Sequence, residues 1–584
     1  MLLGNPLGEE DLPSGKELLE EGRRLAGEHR VGSCPFLVEQ GVSSEIEYKL
    51  KAAAEGRIMQ HAQIGYRDPA RSREAWREIA GSVEKQGGRV DRYGICLDWS
   101  MGYPSAERAK RGKGTGLILE RAEDFAGLTA CGPVAPHFGD FVIGLPAALE
   151  NTKAALAAGA TSIGNLGQYF TFRLPDWPED LETTKASVTA LALAAAQPVP
   201  VLIHSNLDDG FAALFTDLAC AFGAVLLERY IVEELIGGTM GHCYGHTFSD
   251  PLTRLAFQRA LAKDREGRPG SMVYGNTTLY REAVPQAMNY ARLGSYLSID
   301  IAAQMLLPSG HAVTPIPVSE AERIPDIDEV VDAQLYAAAL TERVAEQLPL
   351  IALGEADALA DKLTAGGERF CAAVLDGLEA AGVPRDDPFK LLLALRRIGA
   401  KRLEELFGPG EPDETGPRGR RPLVEASPVA ELNLRAGAVA AALGEEERAR
   451  LAAAGLTVTV ASSDVHEYGK LLVERALQEA GVATLDAGVH AEPARLVAAA
   501  RESGSAAIAI STYNGVALDY LSAVRRELER AGLDLPVFIG GKLNQIPADS
   551  NSALPVDVTG ELKSLGAQPC RSVEEMLRAL AKTL

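Results

Sequence analysis

Several features that would announce a partner or a compartment are missing from this chain. No basic run offsets its acidity: 80 Asp and Glu outweigh 58 Lys and Arg, for a net charge of −22. Such a surface repels polyanions, so no nucleic-acid partner is expected. No apolar run is long enough to span a bilayer. The most apolar stretch, around Ala186 to Ile203, is interrupted by Gln197, Pro198 and Pro200. It reads as a helix followed by a strand, so no membrane partner is expected. The seven cysteines, at 34, 96, 131, 220, 243, 371 and 570, have neither zinc nor iron–sulfur spacing and suggest no disulfide framework. The opening residues Met1-Leu2-Leu3-Gly4-Asn5-Pro6 turn acidic at once, unlike a signal peptide. Together these absences point to a cytoplasmic location.

What is present is an ordinary globular balance, 46% hydrophobic and 24% charged over 584 residues, with length for two or three domains and a large core. Residues 1–55 read as a helical lead-in, with Leu18, Leu19, Gly22, Leu25 and then Ile46, Leu50 and Ala53 marking apolar faces. From 56 to 330, strand-like runs alternate with helical ones. Strands are expected at Ile58–Gln63, Tyr93–Leu97, Gly132–Pro136, Ser162–Leu166, Val199–Ile203, Leu235–Gly241, Met272–Tyr274 and Met305–Pro308. Amphipathic stretches such as Arg71–Lys85, Ala147–Ala158 and Leu252–Lys263 separate them. Alternating βα units in this number suggest an α/β fold, a TIM (β/α)8 barrel, with a long open sheet as the alternative. Residues 331–455 read as a helical linker region with an exposed connector at Gly408–Arg421. Residues 456–584 form a further α/β domain.

In a TIM barrel the chemistry sits at the carboxyl ends of the strands. Those ends carry His61 and Gln63, Asp98, His137, Asn165 and Gln168, His204 and Asn206, His242 and His246, Asn276, and His311. Any one of these histidines is most simply a satisfied loop or core residue; the set is better explained by a shared pocket. His137, Asn165, His204 and His242 are the expected catalytic group, facing one cavity. Gln63, Arg67, Asp98, Gln168 and Asn276 are the expected substrate contacts. A metallohydrolase would need a clustered ligand set. His242 and His246 are four apart, but Gly241, Cys243 and Gly245 make that segment a loop and not a helix.

The densest signal lies near the C-terminal end. The alternating run Leu456–Ala461 reads as a buried strand, and Leu471–Leu477 as a helix. Between them runs Ser463-Asp464-Val465-His466-Glu467-Tyr468-Gly469-Lys470, a DxHxxG pattern at the carboxyl end of a strand. Alone, it reads as a loop histidine beside a capping aspartate. Two later strands end in Ser511-Thr512-Tyr513 and in Gly540-Gly541. In that order the three loops resemble the cobalamin-binding module, whose signature is DxHxxG, then SxL, then GG. The resemblance implies a flavodoxin-like (Rossmann-type) cobalamin-binding domain. In it His466 is the lower ligand of cobalt, Asp464 holds the other ring nitrogen, and Gly469, Ser511, Tyr513, Gly540 and Gly541 line the slot for the nucleotide tail. Tyr513 stands where the family has leucine.

A barrel, a helical linker and a C-terminal cobalamin module form the layout of the adenosylcobalamin-dependent carbon-skeleton mutases. The barrel resembles the catalytic subunit of glutamate mutase (methylaspartate mutase) diffusely over Arg57 to Arg420. The matching pieces are Met59–Gln63, Leu97–Tyr103, His137-Phe138-Gly139-Asp140, Thr161–Tyr169, Met240–Asn276 and Ser309–Pro317. The resemblance implies a radical rearrangement with adenosylcobalamin and its cobalt, acting on a small-molecule substrate, and a homodimer is expected. The chain departs from the family where three arginines grip the two carboxylates of glutamate: Gly65, Met101 and Pro136 stand there. Arg67 lies two residues from the first of them. Without bidentate arginines a dicarboxylate is hard to hold, so the expected substrate is a small carboxylic or amino acid-like molecule other than glutamate. A corrinoid methyltransferase using methylcobalamin, and a corrinoid-binding protein without catalysis, are the alternatives.

Overall fold

The computed structural model describes residues 3–583 apart from 9–10, 112–113, 115, 175–176, 178, 246–247, 249, 264, 266–267, 276–279, 281–283, 322, 415, 465–466, 490, 514 and 547–554. The chain divides into two units. The first comprises Met1–Leu174 and Pro178–Ser427; the second comprises Pro175–Trp177 and Pro428–Leu584.

The first unit carries β1 (His61–Ile64), β2 (Arg92–Ile95), β3 (Ala135–His137), β4 (Ser162–Ile163), β5 (Leu202–Asn206), β6 (Thr239–Cys243), β7 (Met272–Val273) and β8 (Ala312–Val313). They pair in parallel as β1-β2-β3, β4-β5-β6 and β7-β8. Single parallel bridges then join the sheets end to end: Phe138 to Ile163, Tyr244 to Val273, and Gln60 to Val313. The last of these leads from β8 back to β1.

A helix follows each strand. Several begin at an aspartate whose carboxylate takes a free N–H of the first turn, with proline at the first helical position. Asp68 accepts from Ala70 at the start of Pro69–Lys85, and Asp250 accepts from Thr253 at the start of Pro251–Ala262. Helix Pro69–Lys85 buries Ala75, Trp76, Ile79, Ala80 and Val83, one face at helical spacing. Trp76 stacks on Tyr93 of β2 with ring centroids 4.7 Å apart.

The helix Glu45–Ala54 packs beside the amino ends of the strands. The fully buried Arg92, first residue of β2, sets its Nε 2.7 Å from Glu45 Oε1. Its guanidinium also donates to the Ser271 carbonyl and to Ser162 Oγ. Lys49 Nζ donates to the Ser271 and Gly310 carbonyls, each at 2.6 Å. Burial, with Arg92 nearby and Glu45 opposing, brings the Lys49 ammonium down to about 7.

Two strands lie elsewhere than expected. The apolar run Leu235–Gly241 is split: a π-helix, Tyr230–Ile236, takes its start, Gly237 turns at φ +89°, and only Thr239–Cys243 is extended. Met305 and Leu306 close the 21-residue helix Gln286–Leu306, and the strand is Ala312–Val313. In both places a short apolar run ends a helix, and its periodicity is too short to tell that end from a strand. Helices Ile327–Gln347, Gly354–Ala380 and Pro388–Phe407 lie in the first unit.

The second unit is a parallel sheet of β9 (Thr457–Ser462), β10 (Ala483–Asp486), β11 (Ala507–Thr512), β12 (Val537–Gly541) and β15 (Gln568–Cys570). A two-residue antiparallel pair, β13 (Asn544–Gln545) and β14 (Val556–Asp557), stands beside it. The strand order is β10-β9-β11-β12-β15, the doubly wound flavodoxin-like order. One face packs Val458, Val460, Leu472, Leu477 and Phe538; the other packs Ile508, Ile510, Leu496, Leu521 and Ile539. Two helices, Ser427–Ala441 and Glu445–Ala453, precede β9 and add Leu432, Ala436 and Leu451 to the first face. Among the described residues, no helix is long and apolar enough to cross a membrane.

Candidate functional site

In a doubly wound sheet, ligands bind beyond the strand carboxyl ends where the strand order reverses. Here that point lies between β9 and β11. The loop after β9 is tied to the end of β11: Ser463 N–H donates to the Ser511 carbonyl at 2.9 Å. The buried Asp464 accepts the Tyr513 N–H on Oδ2 at 2.7 Å and the Ser463 hydroxyl at 3.2 Å. Gly469, in the first turn of the following helix, lets that turn approach β11 closely; a Cβ there would lie 2.4 Å from Ser511 Oγ. Gly541, at φ +102°, ends β12 where a Cβ would lie 2.3 Å from the Thr512 carbonyl oxygen. Gly540 is less tight, 3.1 Å from the Cys570 carbonyl on the same test.

Asp464, Gly469, Ser511, Tyr513, Gly540 and Gly541 therefore stand on the adjoining loops of β9, β11 and β12. His466 lies outside the described residues. A fixed buried carboxylate and a wall of bare glycine backbone suit a planar cofactor with a slender tail. Two lysines had no role in the sequence reading. The Lys542 ammonium lies 4.6 Å from the Tyr513 ring centroid, in cation–π range. Lys470, fully buried, sets Nζ 2.6 Å from Asp486 Oδ2.

Comparison with known proteins finds likenesses confined to this unit. Residues 455–562 match the B12 binding domain. Over 84 residues, 14% of its length, the chain is 33% identical to glutamate mutase sigma subunits 2 and 1 of Haloarcula marismortui. It spans 57% and 56% of those relatives, little more than half their length. A solved cobalamin-binding protein from Desulfitobacterium hafniense DCB-2 is 19% identical, with 22% of this chain and 58% of that one covered at a TM-score of 0.19. The second unit thus contains a B12-binding domain, and its cofactor is a cobalamin.

The polar residues of the first unit fall into three places. His61, His137 and His204 sit together on β1, β3 and β5: the His61 and His137 centroids are 5.7 Å apart, and those of His137 and His204 4.7 Å. They are core residues. His137 Nδ1 pairs with Ser162 Oγ and His204 Nδ1 with Ser271 Oγ, each at 2.8 Å. Burial, reinforced by the Arg92 charge, keeps them neutral, His204 titrating only at about 3.

Asn165 stands in a second group, on the loop after β4. Its amide reaches Asp140 Oδ1 and Asp209 Oδ2, both at 3.4 Å, and Gln168 Nε2 also reaches Asp140 at 3.4 Å. Its own oxygen accepts the Gly167 and Asn206 N–H groups. Protein crowding raises the Asp140 carboxyl to about 6. The same crowding, with Asp140 and Asp208 adjacent, raises Asp209 to about 8, although Asp209 keeps one side open to solvent. Gln63 lies against the Cys96 thiol, whose pKa burial raises with Asp140 and Glu320 close by. Asp140 and Asp209 were missed as site residues; the one available signal was the Asp208-Asp209-Gly210 turn directly after β5.

The remaining residues go elsewhere. Asp98 caps a short 3-10 turn, accepting from Ser100 and Gly116 N–H. Arg67 donates to the Gly114 carbonyl. His242 does not join His137 and Asn165: its Nε2 meets Glu228 Oε2 of the helix Leu218–Arg229 at 3.0 Å. Ser271 N–H donates to the His242 carbonyl, and so does His311 Nε2. Side chains alternate along a strand, so a one-residue difference in register sends His242 to the helix-facing side. Asn276 and His246 lie outside the described residues. Among those described, no group of three or more His, Cys, Asp or Glu is placed to hold a metal ion.

Proposed function

We propose that the chain is an adenosylcobalamin-dependent mutase that rearranges a small amino acid-like substrate other than glutamate, with the first unit folded as a TIM (β/α)8 barrel. The observation that carries this reading is the likeness of 455–562 to the B12 binding domain and to glutamate mutase sigma subunits, in a chain whose other unit brings eight parallel strands round to the first. His466 would offer its imidazole to cobalt, Asp464 would hold the other ring nitrogen, and Gly469, Ser511, Tyr513, Gly540 and Gly541 would flank the tail. Adenosylcobalamin, when bound, supplies the homolytic cobalt–carbon chemistry for a radical rearrangement.

The first unit's residues would bind and orient the substrate. Asp140, Asp209 and the Asn165 carboxamide form an acceptor-rich group suited to an ammonium. Gln63 and Gln168 add neutral hydrogen bonds, and Arg67 is the nearest candidate for a carboxylate. His137 and His204, neutral and buried, form a dry floor and carry no proton near neutral pH. Gly65, Met101 and Pro136 supply no clamp for a second carboxylate. A methylcobalamin-dependent methyltransferase fits less well, since the two helices before β9 fall short of the four-helix cap of methyl carriers.

The test is to incubate the full chain with a panel of amino acids and adenosylcobalamin, and to look by mass spectrometry and chromatography for an isomer of equal mass. An isomer formed with adenosylcobalamin and absent with methylcobalamin supports the reading. Methyl transfer from methylcobalamin to an added thiol, with no isomer from any amino acid, overturns it.

A further inference from the structure

The carboxyl mouth of the first unit holds two acids on one amide. Asn165 Nδ2 reaches Asp140 Oδ1 and Asp209 Oδ2, both at 3.4 Å. The amide cannot be turned round, because its oxygen takes the Gly167 and Asn206 N–H groups at 2.9 and 2.8 Å. The loop of Asp140 is fixed as well. Phe141 beside it stands in the left-handed region at φ +57°, with its N–H on Gln168 Oε1 and its carbonyl on Asn151 Nδ2. A bulky residue keeps that backbone only where its surroundings impose it.

Among the described residues, no lysine or arginine pairs with either carboxyl group. Two carboxyl groups on one uncharged donor do not both ionise readily. Burial raises both, and Asp140 and Asp208 raise Asp209 further, so the pair titrates at about 6 and about 8. The other titratable groups facing it are Asp208 on the same loop, Cys96 after β2, Cys243 at the end of β6 and Tyr274 after β7, with Glu320 close to Cys96 and Tyr274. Burial pushes the two thiols and the phenol up, so they stay neutral. Near neutral pH the pair therefore holds one proton.

The same place has a donor without an acceptor. His137, 1% exposed, ends β3, and its Nε2 has no hydrogen-bond partner. Ser162 Oγ accepts from Arg92 Nη2 and lies 2.8 Å from His137 Nδ1. Its own hydrogen goes to that nitrogen, so the ring carries its hydrogen on Nε2. This N–H abuts Gly139, the residue before Asp140, where a Cβ would lie 2.4 Å from Nε2. An unpaired buried donor beside an acid pair that has no cation marks a site short of a ligand carrying both an ammonium and an acceptor.

We propose that Asp140 and Asp209 take up the amino group of the substrate with release of one proton. The ligand arrives as an ammonium, and the Asp209 carboxyl gives its proton to solvent. No other bond changes, and the two carboxylates then hold the ammonium beside the Asn165 amide. This rests on the substrate site proposed above and adds a pH gate to it. Affinity rises as pH climbs from about 6 to about 8, by up to about tenfold per pH unit for one proton, and levels off once the pair has ionised.

The experiment is calorimetric titration of the full chain with L-2-aminobutyrate at fixed ionic strength, in pairs of buffers that differ in ionisation heat. The difference in heat between paired buffers counts the protons released. About one proton per ligand is expected at pH 7, falling to near none at pH 9. Asp209→Asn should bind at least tenfold more weakly and release none. Asp140→Asn, which relieves Asp209 of its neighbour's charge, should release less than the wild type. The wild-type pH series decides the matter by itself if the variants fail to fold. No heat at 10 mM, no proton release at pH 7, or equal release in Asp209→Asn overturns the proposal. An isomer formed by a chain that releases no proton would leave the proposed function standing and refute the proton release; proton release without any isomer would do the reverse.

Discussion

The Asp464 carboxylate accepts the backbone N–H of Tyr513 at 2.7 Å, tying the loop after β9 to the loop after β11. One carboxylate thus fixes the shape of both loops. Asp464→Ala leaves the Tyr513 N–H without its acceptor. Cobalamin affinity is expected to fall about 10–100-fold, the range for losing a partner that orients a metal ligand, as read by absorbance titration. His466→Ala should weaken binding as well and abolish the histidine nitrogen coupling in the cob(II)alamin EPR spectrum. Retained coupling would show that another group is the ligand.

Gly540 and Gly541 look alike in sequence and differ in what they tolerate. Gly541 has a positive φ and no room for a Cβ beside the Thr512 carbonyl; Gly540 has ordinary backbone and a contact of 3.1 Å. Gly541→Ala is expected to destabilise the chain by about 1–3 kcal/mol, seen as a lower urea midpoint, and to impair cobalamin binding. Gly540→Ala should cost much less. Equal effects would mean that the loop relaxes freely and that the glycine pair is not a rigid wall.

Substrate choice follows from charge. The loops after β3 and β5 present Asp140, Asp208 and Asp209, and Gly65, Met101 and Pro136 stand where the resemblance to the glutamate mutase barrel would put arginines. Glutamate would bring two carboxylates to a surface that offers aspartates and no arginine clamp for either. No interconversion of glutamate and 3-methylaspartate is expected in a coupled assay with adenosylcobalamin; turnover comparable to that of a glutamate mutase run in parallel would refute the exclusion. Asp140→Asn should leave cobalamin binding unchanged and reduce any amino acid turnover at least tenfold, through the loss of an ammonium contact.

The cobalamin module was legible because its signals are local. Each motif residue sits within a few positions of a long, strongly apolar strand, and the turn chemistry between strand and helix leaves little choice. The first unit was legible as alternation and poorly legible in register. β4, β7 and β8 are two residues long, too short for a period-two pattern to say which side chains face inward. His137 and His204 could be placed near each other, but Ser162 and Ser271, which satisfy them from neighbouring strand ends, carry no sequence signature. His242 shows the cost of a one-residue error: on the helix-facing side its partner is Glu228, an acid inside a helix that is otherwise nearly all apolar. That lone glutamate in Leu218–Arg229 was the readable clue.

Glu228 and His204 set opposite limits on the pH range of stability. Burial raises the Glu228 carboxyl from 4.5 to about 8. Between those values the folded chain binds a proton that the unfolded chain has released, so stability falls as pH rises. The contribution is fully present below about 4.5 and lost as pH passes through 8, at up to about 1.4 kcal/mol per pH unit. His204 acts the other way. Its pKa falls from 6.5 to about 3, so its contribution is present above 6.5 and lost as pH drops through 3. From 6.5 to 8 the Glu228 slope acts without the His204 slope. Glu228→Gln keeps both contacts, with an amide N–H for His242 Nε2 and an amide oxygen for the Ser205 hydroxyl, and cannot ionise. Asp209, raised to about 8, and Lys49, brought down to about 7, titrate in this window in both proteins, so urea denaturation at pH 6.5, 7.2 and 8.0 should show the wild-type midpoint falling relative to that of the variant at each step. A parallel decline in both proteins would assign the titration to another group and leave Glu228 ionised against His242.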